Sequence, residues 1–302
     1  MSKPFRGYFG IAMTPFDAEG NVLWDDLQRE CDFCVRAGIH GLVWPVNDSE
    51  YTTLSFVERA QGTKLVVEAV AGRIPVMIGV ADTSQAGAVA LAQVAAQAGA
   101  DSVIAMPPWH VKLANKALIE GYYRAIAQAA GVPVCIQNLD PPVGSGLSSA
   151  LCIELCQKIP LAQYVKEERE PHGTFVSELV SMATPELKGV FTGGTQLGLI
   201  ASFRRGAAGN MAATYVPDLD AQIWDLMEAG KETEARRIQD AWCVLEKIVR
   251  ATPGSIARKE ILVRRGIFKY NCRRNMGAYK LDEHFLYELD HALEVVAPYF
   301  KR

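Results

Sequence analysis

The sequence predicts an α/β protein folded as a (β/α)8 TIM barrel with a C-terminal three-helix extension. Three observations lead there. Short apolar runs alternate eight times with longer segments of helical period across residues 1–229. The helical segments close repeatedly on Ala-Gly, at Ala37-Gly38, Ala71-Gly72, Ala98-Gly99 and Ala130-Gly131, where glycine supplies a left-handed cap. The turn after the first strand reads Thr14-Pro15-Phe16-Asp17, with no glycine until Gly20, so the Gly-rich phosphate turn of a doubly wound open sheet is missing.

The elements follow in order. A strand over 8–13 precedes a helix over 23–37, in which Leu27, Cys31, Cys34 and Val35 fall on one face. The next pairs are 41–44 with 55–71, 75–79 with 84–98, 102–106 with 116–130, and 133–137 with 148–158. The last three are 163–168 with a helix over 172–183, 187–191 with 196–204, and 210–213 with 217–229. Each strand needs a crossover helix to reach a parallel neighbour, and eight such units close naturally into a barrel. Beyond residue 230 the alternation stops. Helices over 231–252, 255–265 and 282–300 remain, the first with Ile238, Trp242, Leu245 and Val249 on one stripe. No linker or low-complexity run divides the chain, so residues 230–302 are expected to pack on the barrel of residues 1–229.

Composition narrows the function. The 302 residues carry 31 basic and 34 acidic side chains, well mixed, for a net charge of −3. With no basic stripe, nucleic acid is not an expected partner. No signal peptide and no apolar run of about 18 residues is visible, which argues against a membrane segment. The seven cysteines, several inside apolar runs, predict reduced thiols and a cytoplasmic location. Cys31 and Cys34 have CxxC spacing but sit mid-helix on the packing stripe, which favours core packing over metal or redox work. His110, His172, Glu168 and Asp140 lack the spacing of a metal site, so no metal is expected.

A (β/α)8 barrel keeps its active site at the C-terminal ends of the strands. Those positions hold Thr14, Asn47-Asp48-Ser49-Glu50, Pro107-Pro108-Trp109-His110, Gln137-Asn138-Leu139-Asp140, Lys166-Glu167-Glu168, Thr192-Gly193-Gly194, and the run from Met211 to Thr214. Lys166 is the most informative. Residues two apart on a strand share a face, so Lys166 shares its face with Tyr164 and Glu168 while Glu167 points the other way. If that face is the barrel interior, a desolvated lysine beside a carboxylate is a candidate nucleophile. Otherwise it is a strand-end lysine that snorkels to solvent. Glu168 and His110 are candidate acid/base groups; the bland alternatives are a salt bridge for Glu168 and a backbone cap for His110. Asn47, Ser49 and the Gly193-Gly194 pair offer donors to a carboxylate. The alternatives for Gly193-Gly194 are a phosphate cradle and a plain turn.

These residues resemble a known family. Thr14-Pro15-Phe16, the stretch 42–54 with Ser49-Glu50, Pro107-Pro108-Trp109, and Tyr164-Val165-Lys166-Glu167 are similar to the dihydrodipicolinate synthase / N-acetylneuraminate lyase family of class I Schiff-base lyases. The resemblance implies that Lys166 is the Schiff-base lysine, that no separate cofactor is needed, that the substrate is a small 2-keto acid, and that the chain forms a homotetramer. It further implies substrate contacts at Asn47, Asp48, Ser49, Trp109, Gly193, Gly194 and Met211. Two departures matter. The family's Gly-Thr-Thr-Gly-Glu is here Val46-Asn47-Asp48-Ser49-Glu50, so the hydroxyl pair that holds the keto-acid carboxylate is replaced by Ser49, Asn47 and nearby amides. The family's proton-relay tyrosine aligns with Gln137, whose amide is no acid or base at neutral pH. A subgroup shares these departures. Met106-Pro107-Pro108 with His110, Ile136-Gln137, and a lysine followed two residues on by glutamate resemble the 2-keto-3-deoxy-L-arabonate dehydratases. The implied reaction is dehydration of a 2-keto-3-deoxy sugar acid, with Lys166, Glu168, Gln137 and His110 as its machinery. The alternatives are a pyruvate-dependent aldolase or dihydrodipicolinate synthase-like enzyme, a non-catalytic keto-acid binder, and a phosphate-sugar aldolase. The last is disfavoured because no Lys or Arg adjoins Gly193-Gly194.

Overall fold

The computed structural model describes residues 5–108, 115–171, 173–193, 198–252, 256–274 and 280–301. Eight parallel strands close into a barrel in sequence order: β1 (Gly7–Ile11), β2 (Gly41–Trp44), β3 (Val76–Gly79), β4 (Ser102–Ala105), β5 (Val134–Asn138), β6 (Ala162–Glu167), β7 (Gly189–Gly193) and β8 (Gly209–Ala213). The closing pair is β1 with β8, registered Phe9 to Met211 and Ile11 to Ala213. The intervening helices are α1 (Trp24–Ala37), α2 (Phe56–Val70), α3 (Gln85–Ala98), α4 (Lys116–Ala130), α5 (Ser149–Lys158), α6 (Thr174–Ser181), α7 (Gly198–Arg204) and α8 (Pro217–Glu228). Then come α9 (Glu232–Arg250), α10 (Ile256–Arg264) and α11 (Glu283–Val296).

Every strand is covered on both faces, which is why the strands read as unbroken apolar runs. The outer faces pack against the helices in one large core. The inner faces form a second core of Phe9, Ile11, Val43, Met77, Ile104, Cys135, Phe191 and Met211. Inside the barrel Phe5 lies on Tyr164, ring centroids 5.2 Å apart, and Phe9 meets Phe191 at 5.0 Å. This aromatic layer lies below the strand ends that carry the polar residues.

Helices α6 and α11 are shorter than the sequence predicts. Helix α6 was expected over 172–183 but runs Thr174–Ser181. Gly173 stands at its N-cap with φ 88°, outside the helical region, and Pro185 follows its end. The last helix stops at Val296 and continues as a 3-10 turn, Ala297–Tyr299, because Pro298 cannot donate to an α-helical bond. The buried face of α1 also differs: Asp26, Leu27, Glu30, Cys31, Cys34 and Ala37 are buried, whereas Val35 is only partly so.

Glu30 is fully enclosed. Its carboxylate accepts the Met13 backbone N–H and, at 2.6 Å, the Thr214 hydroxyl, tying α1 to the chain leaving β1 and β8. Burial raises its pKa to about 8, against these hydrogen bonds, which lower it. The folded chain therefore binds this proton more tightly than the unfolded chain does. The stability it contributes is complete below the unfolded carboxyl pKa of about 4.5 and falls as pH rises to about 8. Glu30→Gln is expected to remove that slope, gaining on the wild type by on the order of 4 kcal/mol across the window. Urea unfolding at pH 5, 6.5 and 8 checks this; an unchanged difference between the two proteins at all three pH values contradicts it.

Candidate active site

Strand β6 decides the site. Alternation turns Tyr164 and Lys166 into the barrel, while Val165 and Glu167 face the helices. Lys166 is only 2% exposed, so it is enclosed rather than snorkelling. Its register neighbours are Gln137 on β5 and Phe191 on β7. Glu168, just past the strand end, turns back over this layer. Its Oε1 lies 3.0 Å from Lys166 Nζ, and its Oε2 accepts from Gln137 Nε2 at 2.7 Å. The carboxylate thus spans an amine and an amide. Cys135, the interior residue preceding Gln137 on β5, contributes a neutral thiol, its pKa pushed up by burial.

Behind this layer a polar brace fixes the ends of β5 and β6. Glu167 receives Arg169 through Nε and Nη2, both at 3.0 Å, and Asn138 Nδ2 at 2.9 Å. Arg169 stacks on the Phe175 ring at 3.8 Å and reaches Ser149 Oγ. Asn138 also binds Leu147 through both its amide atoms. Glu168 inherits this rigidity, because its backbone N–H donates to Asn138 O at 2.9 Å. The strand pattern alone points to no role for Arg169. An arginine three residues after the lysine, with an aromatic residue six further on, was the available signal.

The loop after β2 forms two 3-10 turns, Asn47–Ser49 and Tyr51–Thr53, joined by Glu50 at φ 57°. Ser49 donates its hydroxyl to Ala12 O at 2.6 Å, and Thr14 donates to Ser49 O at 2.6 Å. The amides of Ser49 and Glu50 close the turn onto Val46 O and Asn47 O. These groups, expected to meet the substrate carboxylate, are therefore engaged within the protein. Asn47, half-buried, makes no side-chain hydrogen bond to the described residues. Asp48 pairs with Arg258 on α10 at 3.1 Å, so its carboxylate is tied to the extension.

The next residue on α10, Lys259, was missed from sequence and is, among the described residues, the second fully buried lysine. Burial pushes its pKa down, opposed by Glu50. Its ammonium donates to Glu50 Oε1 at 2.6 Å and to the carbonyls of Thr14 and Cys272 at 2.8 Å. Three acceptors use all three of its protons. It locks the loop after β2 and is not disposed as a nucleophile. Nothing in the local pattern could reveal a partner 209 residues away.

Of the remaining expected residues, Met211 lies in the inner apolar core. Gly193 faces inward, and the space where its side chain would stand is filled by Glu168. Trp109, His110, His172 and Gly194 lie outside the described residues. Among the described residues no three His, Cys, Asp or Glu side chains converge as a metal site, and no helix is long and apolar enough to cross a membrane. Cys31 and Cys34 are buried in the helix layer.

A closed parallel barrel with an enclosed amine, a carboxylate and an amide at one ring of strand ends defines an enzyme of the (β/α)8 class. The chain belongs to the dihydrodipicolinate synthetase family, whose model matches residues 4–294 and whose members are lyases. An L-2-keto-3-deoxyarabonate dehydratase from Azospirillum brasilense is 28% identical over 264 residues, covering 87% of this chain and 85% of that protein. A 4-hydroxy-tetrahydrodipicolinate synthase from Rhizobium meliloti (strain 1021) is 28% identical over 269 residues, covering 89% of this chain and 91% of that one. A prophage protein of the dihydrodipicolinic acid synthase family from E. coli K12, solved in complex with pyruvate, shares the fold. Its TM-score is 0.88 at 22% identity, over 97% of this chain and 99% of that one.

Proposed function

We propose that this protein is a Schiff-base lyase that removes water from a 2-keto-3-deoxy sugar acid, such as 2-keto-3-deoxy-L-arabonate, giving 2,5-dioxopentanoate. The observation that carries the reading is the Glu168 carboxylate, held by the Gln137 amide 3.0 Å from the Lys166 amine, at the layer where the family resemblance leads one to expect a tyrosine. The dehydratase from Azospirillum brasilense supports the choice of substrate class.

The steps balance on these residues. Glu168 takes a proton from the Lys166 ammonium. The freed Nζ adds to the C2 ketone, and the resulting hydroxyl leaves as water with that proton, giving a protonated imine. The imine acidifies C3–H, and Glu168 removes one such proton to give the enamine. The enamine pushes out the C4 hydroxyl, which departs as water with the proton Glu168 has just taken. In a five-carbon acid the C5 hydrogen and the C5 hydroxyl proton then pass to C3 and C4, leaving an aldehyde. Water hydrolyses the imine and frees Lys166. One water is lost overall, with no net oxidation and no metal required. Gln137 orients the carboxylate and carries no proton. A retro-aldol cleavage would instead need a base on the C4 hydroxyl, the role the resemblance gives to tyrosine. A homotetrameric, cytoplasmic enzyme completes the proposal.

The test is a panel of five- and six-carbon 2-keto-3-deoxy acids with product analysis by NMR. The expected product is the dioxo acid. Pyruvate plus an aldehyde, without dioxo acid, would make the protein an aldolase and overturn the dehydratase reading.

A further inference from the structure

We infer that Gly193 is a positioning residue, conserving by its missing side chain the space that Glu168 needs to reach Lys166. The inference rests on the role proposed for Glu168. A Cβ built on Gly193 would lie 2.1 Å from Glu168 Oε1 and 2.2 Å from both Cδ and Cγ. These are the three nearest atoms, and all belong to Glu168. The overlap includes Cγ, so a small turn of the carboxyl group does not relieve it. The backbone gives no other reason for glycine, because Gly193 is not among the residues at positive φ. Glycine inside a strand is unfavourable and commonly marks a place where another group approaches closely. Here that group is the Glu168 side chain, which follows the end of the neighbouring strand.

The geometry explains how a carboxylate two residues past a lysine can return to it. Glu168 folds over β7 at Gly193, and its two oxygens then span Lys166 on β6 and Gln137 on β5. Three adjacent strands therefore fix one carboxylate. Any side chain at position 193 displaces it from the amine without touching Lys166.

The test is a double-mutant cycle of Gly193→Ala and Glu168→Ala, read first by thermal unfolding. Gly193→Ala is expected to lower Tm by roughly 4 °C or more in the wild type. In the Glu168→Ala background, where the clash is absent, the same change is expected to shift Tm by less than about 1 °C. If Gly193→Ala alone does not fold, a folded double variant still supports the inference, and failure of both overturns it. Equal shifts in the two backgrounds, or none in either, also overturn it. The second readout separates chemistry from folding. Gly193→Ala should lose roughly 100-fold in turnover yet still be trapped by borohydride with pyruvate, and in the Glu168→Ala background it should cost nothing further. Unchanged turnover in Gly193→Ala sinks the positioning role. Absence of dehydration in the wild type counts against the proposed reaction and leaves the Tm cycle standing.

Discussion

Replacing Lys166 with alanine is expected to lower turnover by roughly 10,000-fold or more and to abolish borohydride trapping by 2-keto acids. The size of the effect follows from the proposed role: in that reaction the lysine supplies the covalent electron sink, and no neighbour among the described residues is placed to substitute. Lys259, the other enclosed lysine among the described residues, is held by Glu50 and two carbonyls. Circular dichroism should show that the variant keeps its fold. Residual trapping at the wild-type rate in Lys166→Ala would mean that another amine forms the adduct.

Glu168→Gln is expected to divide the reaction in two. The amide matches the carboxylate in size and can still accept from Gln137 Nε2. It cannot take the C3 proton or return it to the C4 hydroxyl. Turnover should fall by roughly 100- to 10,000-fold, the range for loss of a positioned acid/base group. Borohydride trapping with the keto acid should persist, because imine formation places the smaller demand on this residue. The substrate imine should then accumulate, visible as a larger mass-shifted fraction of enzyme at steady state. Turnover within a few-fold of wild type would give the proton transfers to another group.

The barrel was legible because its signal is repetitive and local. Alternation of strand and helix, and the Ala-Gly caps, depend on residues close in sequence, and both cores follow from them. The inward face of Lys166 was legible for the same reason, since Tyr164, Lys166 and Glu168 obey a two-residue period. Errors fell where one residue overrides periodicity: Gly173 at the start of α6, and Pro298 after α11. On α1 the hydrophobic pattern hid Glu30, which is buried because its carboxylate satisfies Met13 and Thr214. In the site, the resemblance assigns the substrate carboxylate to Ser49, Asn47 and nearby amides; the fold adds that the Ser49 hydroxyl and the Ser49 and Glu50 amides also bond within the loop. The braces on that loop come from Arg258 and Lys259, and residues so distant in sequence leave no local pattern. The Gly193–Glu168 relation is similar: glycine at a strand end suggests a turn or an anion cradle, and only the register of β6 with β7 shows a side chain occupying its space.

The most direct measurement is peptide mapping of enzyme reduced with borohydride during turnover of 2-keto-3-deoxy-L-arabonate. The adduct is predicted on the peptide that contains Lys166, with its mass reduced by one water relative to the substrate adduct in wild type, and not reduced in Glu168→Gln. An adduct on Lys259 or another lysine, or none at all while substrate is consumed, would contradict a Schiff base on Lys166.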